Sequence, residues 1–323
     1  MAKYKVVVIN PGYESYHLER KILEPVGAEV IVAQKDCDAE DLIIAAAEDA
    51  DAILVREGPV TGRVIDSLKK LKIIARYGVG VDNVDLETAR KNKIYASIVP
   101  NYGNEDVSDH AMALLLACIR TLPIRDRNVR NGIFETDIVA EIHRTTGRNL
   151  GIIGYGKIAR VFHRKWQGFL PARVLVYDPL VDTDTITESG AEKVDLDTLL
   201  TEAEYISIHA PLTPDTRHMI NGSALKKMKS TAVIVNTSRG AIIDTNDLAK
   251  ALEQGEIFAA GIDVFEKEPL PADHPLVSQP NVILTPHLAW YSKESTRDLQ
   301  SGAASEVQRV LSGQQPQNWI NKW

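Results

Sequence analysis

The sequence predicts an α/β protein of two domains, each a doubly wound parallel sheet with helices on both faces. Short apolar runs alternate with polar, helix-forming stretches up to about Pro100, and the alternation resumes after Asn149. At 323 residues the chain is long enough for two domains that each bury a core.

The first series of strands reads KVVVIN, AEVIVAQ, DAILVRE, KIIARYG and KIYASIV. Between them lie HLERKILEP, DAEDLIIAAAED, VTGRVIDSLKKL and DLETARKNK. NEDVSDHAMALLLACIRTL, starting near Asn104, then carries an amphipathic helix pattern with no strand before it, and so reads as a linking helix. The second series is NLGIIGYG, ARVLVYDP, YISIHAP, TAVIVNTS, AAGIDVF and NVILTPH, with helical stretches such as LDTLLTEAEY and NDLAKALEQG between. SKESTRDLQSGAASEVQRVLSG is helical without a strand partner and is expected to pack back on the first domain.

Composition narrows the function. A net charge of −7 argues against nucleic acid and against an anionic membrane surface, both of which need a cationic footprint. The two cysteines, Cys37 and Cys118, offer neither a disulfide framework nor a zinc-binding spacing, so no metal is expected and a reducing compartment fits. MAKYKVVVINPG is too short and strand-like for a signal peptide, and no stretch has the apolar length of a bilayer span. The expectation is a soluble, cytoplasmic protein.

LGIIGYGKIAR contains Gly154-x-Gly156-x-x-Ala159 between a strand and a helix. In a dinucleotide-binding turn the first glycine makes the turn, the second admits a pyrophosphate, and the small third residue lets helix pack on strand. Gly154, Tyr155, Gly156, Lys157 and Ile158 are then candidates to face the phosphates at the helix N-terminus. The next strand ends at Asp178, placed to accept from the adenosine ribose hydroxyls and to repel a 2′-phosphate, which favours NAD. Its bland reading is a turn-forming Asp-Pro.

Three further strand ends carry ionisable groups: Arg239 in VIVNTSRG, Asp263 with Glu266 and Glu268 in AAGIDVFEKEP, and His287 in NVILTPH. Singly, each can be a paired or packed residue. Jointly they suit reduction of a 2-oxo acid. Arginine offers a planar fork for a carboxylate, histidine a proton near working pH, and a carboxylate orients the imidazole.

RYGVGVDNVD, the glycine loop, TSRG, DVFEKEP and TPHLAW together resemble the D-isomer-specific 2-hydroxyacid dehydrogenase family over nearly the whole chain. The resemblance implies a flavodoxin-like substrate domain over 1–101 plus 291–323 and a Rossmann NAD-binding domain over 102–290. It implies NAD as cofactor, an (R)-2-hydroxy acid product and a homodimer. The helix around 107–122 would contribute to the dimer or to interdomain core. Residue by residue, Arg239 is similar to the substrate-binding arginine and His287 to the acid/base. Glu268 rather than Glu266 is similar to the catalytic glutamate, which in the family lies five places after the aspartate. Asp263 resembles the contact to the nicotinamide carboxamide, and His209, Ala210, Pro211, Thr237 and Ser238 resemble cofactor-cleft segments. Tyr77, Gly78, Val79 and Gly80 resemble the loop whose backbone N–H groups receive the substrate carboxylate, a role a glycine-flanked loop also suits physically. Formate dehydrogenases of this family carry glutamine where Glu268 stands, which argues against that branch.

TPHLAWYS is most similar to the C-terminal-binding-protein branch, where a tryptophan three places after the histidine borders the substrate pocket. Trp290 is then either an apolar wall for the substrate side chain or a packing residue. The same branch supplies the alternative function, an NADH-reading scaffold for protein partners with little turnover. Such scaffolds tend to carry long flexible tails, whereas both ends here read as structured, which favours the enzyme. The substrate stays open among glyoxylate, hydroxypyruvate, a phosphoglycerate-type acid and apolar 2-oxo acids. Arg56 and Arg76, at strand ends, suit either a phosphorylated tail or an ion pair.

Overall fold

The computed structural model describes residues 2–35, 37, 39–134 and 142–323. The chain divides into two compact units, Met1–Tyr102 with Ser292–Trp323, and Gly103–Tyr291.

In the first unit the strands are β1 (Tyr4–Ile9), β2 (Ala28–Val32), β3 (Ala52–Val55), β4 (Ile73–Arg76) and β5 (Tyr95–Ser97). They alternate with α1 (His17–Leu23), α2 (Glu40–Ala46), α3 (Gly62–Ser67) and α4 (Leu86–Lys91). The sheet is parallel, in the flavodoxin-like order β2-β1-β3-β4-β5. Val6, Val7, Val8 and Ile9 are all buried, as a central strand covered on both faces requires.

The second unit starts with α5 (Asn104–Ile119) and α6 (Leu122–Arg130). It continues with β6 (Leu150–Ile153), α7 (Lys157–Trp166), β7 (Val174–Tyr177), α8 (Thr183–Glu188), β8 (Glu192–Lys193) and α9 (Leu196–Glu202). Then come β9 (Tyr205–Ile208), α10 (Gly222–Lys227), β10 (Val233–Asn236), α11 (Thr245–Glu253), β11 (Ala259–Ile262), α12 (Pro275–Ser278) and β12 (Val282–Leu284). The parallel sheet runs β12-β11-β10-β9-β6-β7-β8. Its order reverses at β6, between β7 and β9, and ligands bind in the crevice at such a switch point. The seventh strand, β8, was not expected. At two residues, Glu192 and Lys193, it has no apolar run to announce it.

The last helix, α13 (Lys293–Leu311), belongs to the first unit, where it packs on α1 and β4. Ser292 and Ser295 close its N-terminus as a reciprocal capping box. Beyond it, the chain covers the open edge of β5. Ile98 N–H donates to Asn318 O (3.0 Å), Ile320 N–H to Ala96 O (2.9 Å), and Ala96 N–H to Asn321 Oδ1 (2.9 Å). That pairing removes an exposed strand edge. No single helix among the described residues is long and apolar enough to cross a membrane.

Candidate active site

The glycine loop leaves β6 at the switch point. Gly154 has φ +83°, and a Cβ there would lie 2.6 Å from the backbone nitrogen of Ala210, which cannot yield. The same close approach brings His209, Ala210 and Pro211 to the loop, with His209 N–H donating to Ile153 O at 2.7 Å. His209 is held neutral, its pKa pushed down to about 3 by burial, with Nε2 2.9 Å from Ser207 Oγ.

The helices α8, α9, α10 and α11 each have their first N–H groups capped by a side chain, from Asp182, Asp195, Asn221 and Asp244. At α7 the N-cap is Gly156, and among the described residues no side chain caps it. Its N–H groups are presented with the positive end of the helix dipole, as an anion site requires. Tyr155 is only 1 % exposed, so the loop offers backbone here rather than the phenol. The phenol is 2.7 Å from both His163 Nδ1 and Ser189 Oγ, a buried pillar beneath the loop. Burial lowers the His163 pKa.

Asp178 serves both of its readings. Oδ1 accepts the turn N–H groups of Leu180 (2.8 Å) and Val181 (3.1 Å), while Oδ2 accepts Tyr155 N–H (2.7 Å). The carboxylate thus sits against the glycine loop with acceptor capacity remaining.

At the end of β10, buried Asn236 organises TSRG. Its Oδ1 accepts Ser238 N–H (3.0 Å) and Ser238 Oγ–H (2.9 Å), and its Nδ2 donates to Arg239 O (2.8 Å). Gly240 is obligatory, because a Cβ would fall 1.9 Å from the Phe265 carbonyl carbon. Thr237 Oγ1 is buried without a hydrogen-bond partner among the described residues, a buried hydroxyl that awaits a ligand. The uncapped helix, the glycine cradle, Asp178 and this hydroxyl fit a nicotinamide dinucleotide.

The two glutamates of DVFEKEP part company. His287 Nδ1 lies 2.7 Å from Glu268 Oε2, and Phe265 N–H donates to Glu268 Oε1 at 3.0 Å. Glu266 points elsewhere, 2.7 Å from His218 Nε2, with Oε1 accepting from Thr245 N–H and Oγ–H. Burial would raise the Glu268 carboxyl, but the His287 hydrogen bond, the Phe265 N–H and the charges of His287 and Arg239 outweigh it and hold it below the usual value. His287 Nε2 has no protein partner among the described residues, so the imidazole is oriented at one nitrogen and open at the other.

Asp263 is fully buried, and its carboxylate is built into the turn that carries His287. Oδ1 accepts from Thr285 Oγ–H (2.6 Å) and Leu288 N–H (3.0 Å), and Oδ2 from Ala289 N–H (2.9 Å). One lone pair on Oδ2 is left for a further donor. His287 itself has φ +54°, a left-handed conformation costly for a side chain of this size, and its N–H donates to Asp263 O at 2.8 Å. Trp290 closes the turn by donating Nε1–H to His287 O at 3.0 Å.

Tyr77, Gly78, Val79 and Gly80 belong to the first unit. The Tyr77 phenol turns inward and donates to buried Glu19 at 2.9 Å. Gly78 takes φ +147°. The N–H groups of Val79 and Gly80 donate to no acceptor among the described residues, the property of an anion nest. Arg56 and Arg76 both bear electrostatically on the Tyr13 phenol. Arg56 Nη2 meets Glu57 at 3.4 Å, while its buried Nε has no partner among the described residues.

A dinucleotide cradle at a switch point, in one unit with an Arg and a Glu–His couple, defines a nicotinamide-dependent dehydrogenase. A profile described as "D-isomer specific 2-hydroxyacid dehydrogenase, NAD binding domain" matches residues 112–289. A glyoxylate reductase of Korarchaeum cryptofilum is 38 % identical over 288 residues, covering 88 % of this chain and 86 % of that protein. A D-3-phosphoglycerate dehydrogenase of Methanocaldococcus jannaschii is 37 % identical over 98 % of this chain, which spans only 59 % of that longer protein. A D-lactate dehydrogenase of Aquifex aeolicus, solved with NAD and lactic acid, superposes with a TM-score of 0.87 at 27 % identity, covering 98 % of this chain and 99 % of that one. The chain belongs to the D-isomer-specific 2-hydroxyacid dehydrogenase family. It is an NAD-dependent oxidoreductase of 2-hydroxy acids.

Proposed function

We infer that the chain reduces a small 2-oxo acid to the (R)-2-hydroxy acid, with Arg239, Glu268 and His287 as the reacting set. The observation that carries this is the 2.7 Å couple between His287 Nδ1 and Glu268, with Nε2 open and the Arg239 charge acting on the same carboxylate. NADH, when bound, supplies the hydride to C2. Arg239 receives the substrate carboxylate on its planar fork. His287 holds at Nε2 the proton that the carbonyl oxygen takes as C2 is reduced, so that C=O becomes CH–OH. Glu268 binds the ring at Nδ1 and fixes its orientation, leaving Nε2 as the proton donor. When the cofactor is bound, the N–H groups at the start of α7 would hold its pyrophosphate and Asp178 would accept from its ribose, with Thr237 and the remaining lone pair of Asp263 available to the nicotinamide end.

The glyoxylate reductases among the relatives match this chain over most of their length, which favours glyoxylate or hydroxypyruvate over a phosphorylated acid. We further infer a homodimer, because α6 and the residues after it expose Leu122, Val129, Ile133 and Phe134. The buried thiols Cys37 and Cys118, neither of them in a disulfide, suit the cytoplasm.

The test is loss of NADH absorbance with glyoxylate, hydroxypyruvate, phosphohydroxypyruvate, pyruvate, 2-oxoisocaproate and phenylpyruvate, beside NADPH. Turnover of glyoxylate or hydroxypyruvate with NADH supports the reading. Turnover of phosphohydroxypyruvate alone would overturn the substrate class, and tight NADH binding with no turnover would favour the scaffold.

A further inference from the structure

We propose that His110 is a positioning residue for the reaction, acting through Thr285 and Asp263 on the turn that carries His287. The proposal rests on the reading of His287 as the acid/base. His110 stands on α5, outside every motif that nominated a site residue. Its Nε2 lies 3.0 Å from Thr285 Oγ1 and 3.5 Å from Asp263 Oδ1. Thr285 Oγ1 is in turn 2.6 Å from Asp263 Oδ1.

Counting hydrogens fixes the direction. The threonine hydroxyl has one hydrogen, and an ionised carboxylate only accepts, so that hydrogen goes to Asp263. The contact with His110 then requires the hydrogen on Nε2, with His110 as donor. One chain results. His110 donates to Thr285, Thr285 donates to Asp263, and Asp263 accepts the N–H groups of Leu288 and Ala289 that follow His287 directly.

What the chain holds is a left-handed histidine, a conformation that persists only where the surroundings over-determine it. Asp263 is fully buried, so any rotation of its carboxylate leaves buried N–H groups unpaired. Removing the His110 donor frees the Thr285 hydroxyl to rotate and gives Asp263 a second orientation. The His287 ring then loses its single placement, and proton transfer is sensitive to such small displacements.

The test compares His110→Leu, which lacks a donor, with His110→Gln, which keeps an N–H. With the oxo acid the enzyme turns over, His110→Leu should lower kcat by about tenfold to a hundredfold. The unfolding midpoint should stay near wild type, and His110→Gln should recover most of the rate. Thr285→Val should show the same loss, and His110→Leu/Thr285→Val should be no worse than the worse single variant, because the two residues act in series. A substrate-independent readout is the amide proton shifts of Leu288 and Ala289, which should move in His110→Leu and return in His110→Gln. Wild-type kcat with unmoved amides in His110→Leu, or multiplicative losses in the double variant, would overturn the proposal. Should His110→Leu fail to fold, Thr285→Ser against Thr285→Val asks the same question, and equal rates overturn it. His287→Ala run alongside separates the two readings. If it keeps turnover the acid assignment falls, whereas if it is inactive and His110→Leu is unimpaired only the present proposal falls.

Discussion

Among its described residues the second unit has two histidine–glutamate pairs of equal length, His287 with Glu268 and His218 with Glu266, both at 2.7 Å. Both histidines have positive φ, +54° and +50°. The geometry of the pair therefore distinguishes nothing. The difference lies in what each pair leaves over. Glu266 uses its second oxygen to hold the N–H and hydroxyl of Thr245 at the start of α11. His218 Nδ1 faces a second carboxylate, Asp244, at 3.8 Å. That histidine lies between two carboxylates, hydrogen-bonded to one and electrostatically near the other, and the pair ties a loop to a helix. Among the described residues the second oxygen of Glu268 takes only Phe265 N–H and the far nitrogen of His287 is open, while Arg239 adds its charge. A couple with an unspent nitrogen beside a cation and a dinucleotide cradle can move a proton to a ligand. A couple whose glutamate is committed to the start of a helix and whose histidine faces a second carboxylate is built to hold structure.

The sharpest way to break this contrast is to delete each imidazole. His287→Ala should lower kcat by about 10²–10⁴-fold, the usual worth of a general acid, with NADH binding nearly intact. His218→Ala should keep kcat within a few-fold and show itself in a lowered unfolding midpoint. Steady-state rates and thermal scans on both variants decide it.

Next in size are the carboxylates. Glu268→Gln should lower kcat/KM, because the imidazole loses the carboxylate that orients its ring. Glu266→Gln should leave kcat/KM within a few-fold. Equal losses in both variants would merge two pairs that the structure separates.

Asp178→Ala should weaken NADH binding and relax discrimination against NADPH, read from the ratio of the two KM values. An unchanged ratio would assign the ribose to another group.

The smallest effect is on acid stability. Both glutamates have carboxyls held below their usual range by their histidine partners and backbone N–H groups. Each lowered pKa contributes stability that is full above the unfolded value and is lost as pH falls through the lowered native value. Both pairs are partly exposed, so solvent screening keeps the contribution modest. Denaturant midpoints across acid pH should fall less steeply in Glu266→Gln than in wild type.

Much of the fold was readable in the sequence because parallel strands covered on both faces appear as unbroken apolar runs such as KVVVIN and AVIVN. The two-residue β8 carries no such run. The covering of β5 by residues 318–321 depends on a partner more than 220 positions away, and no local pattern encodes it. In the candidate site the residues at strand ends, Arg239, Asp263 and His287, stand out because charge at the exit of a buried strand is costly. Spacing by itself could not choose between Glu266 and Glu268. Asn236, Thr285 and His110 were missed. They are polar residues of ordinary type within a strand end, a turn and a helix, and their meaning exists only once Ser238, Asp263 and His287 are in place.

The measurement that bears most directly on the central claim is NADH oxidation with the best oxo acid of the panel, run on wild type, His287→Ala and His218→Ala. The account predicts that turnover disappears with His287 and survives the loss of His218. Turnover that persists without His287, or that disappears equally without His218, would contradict it.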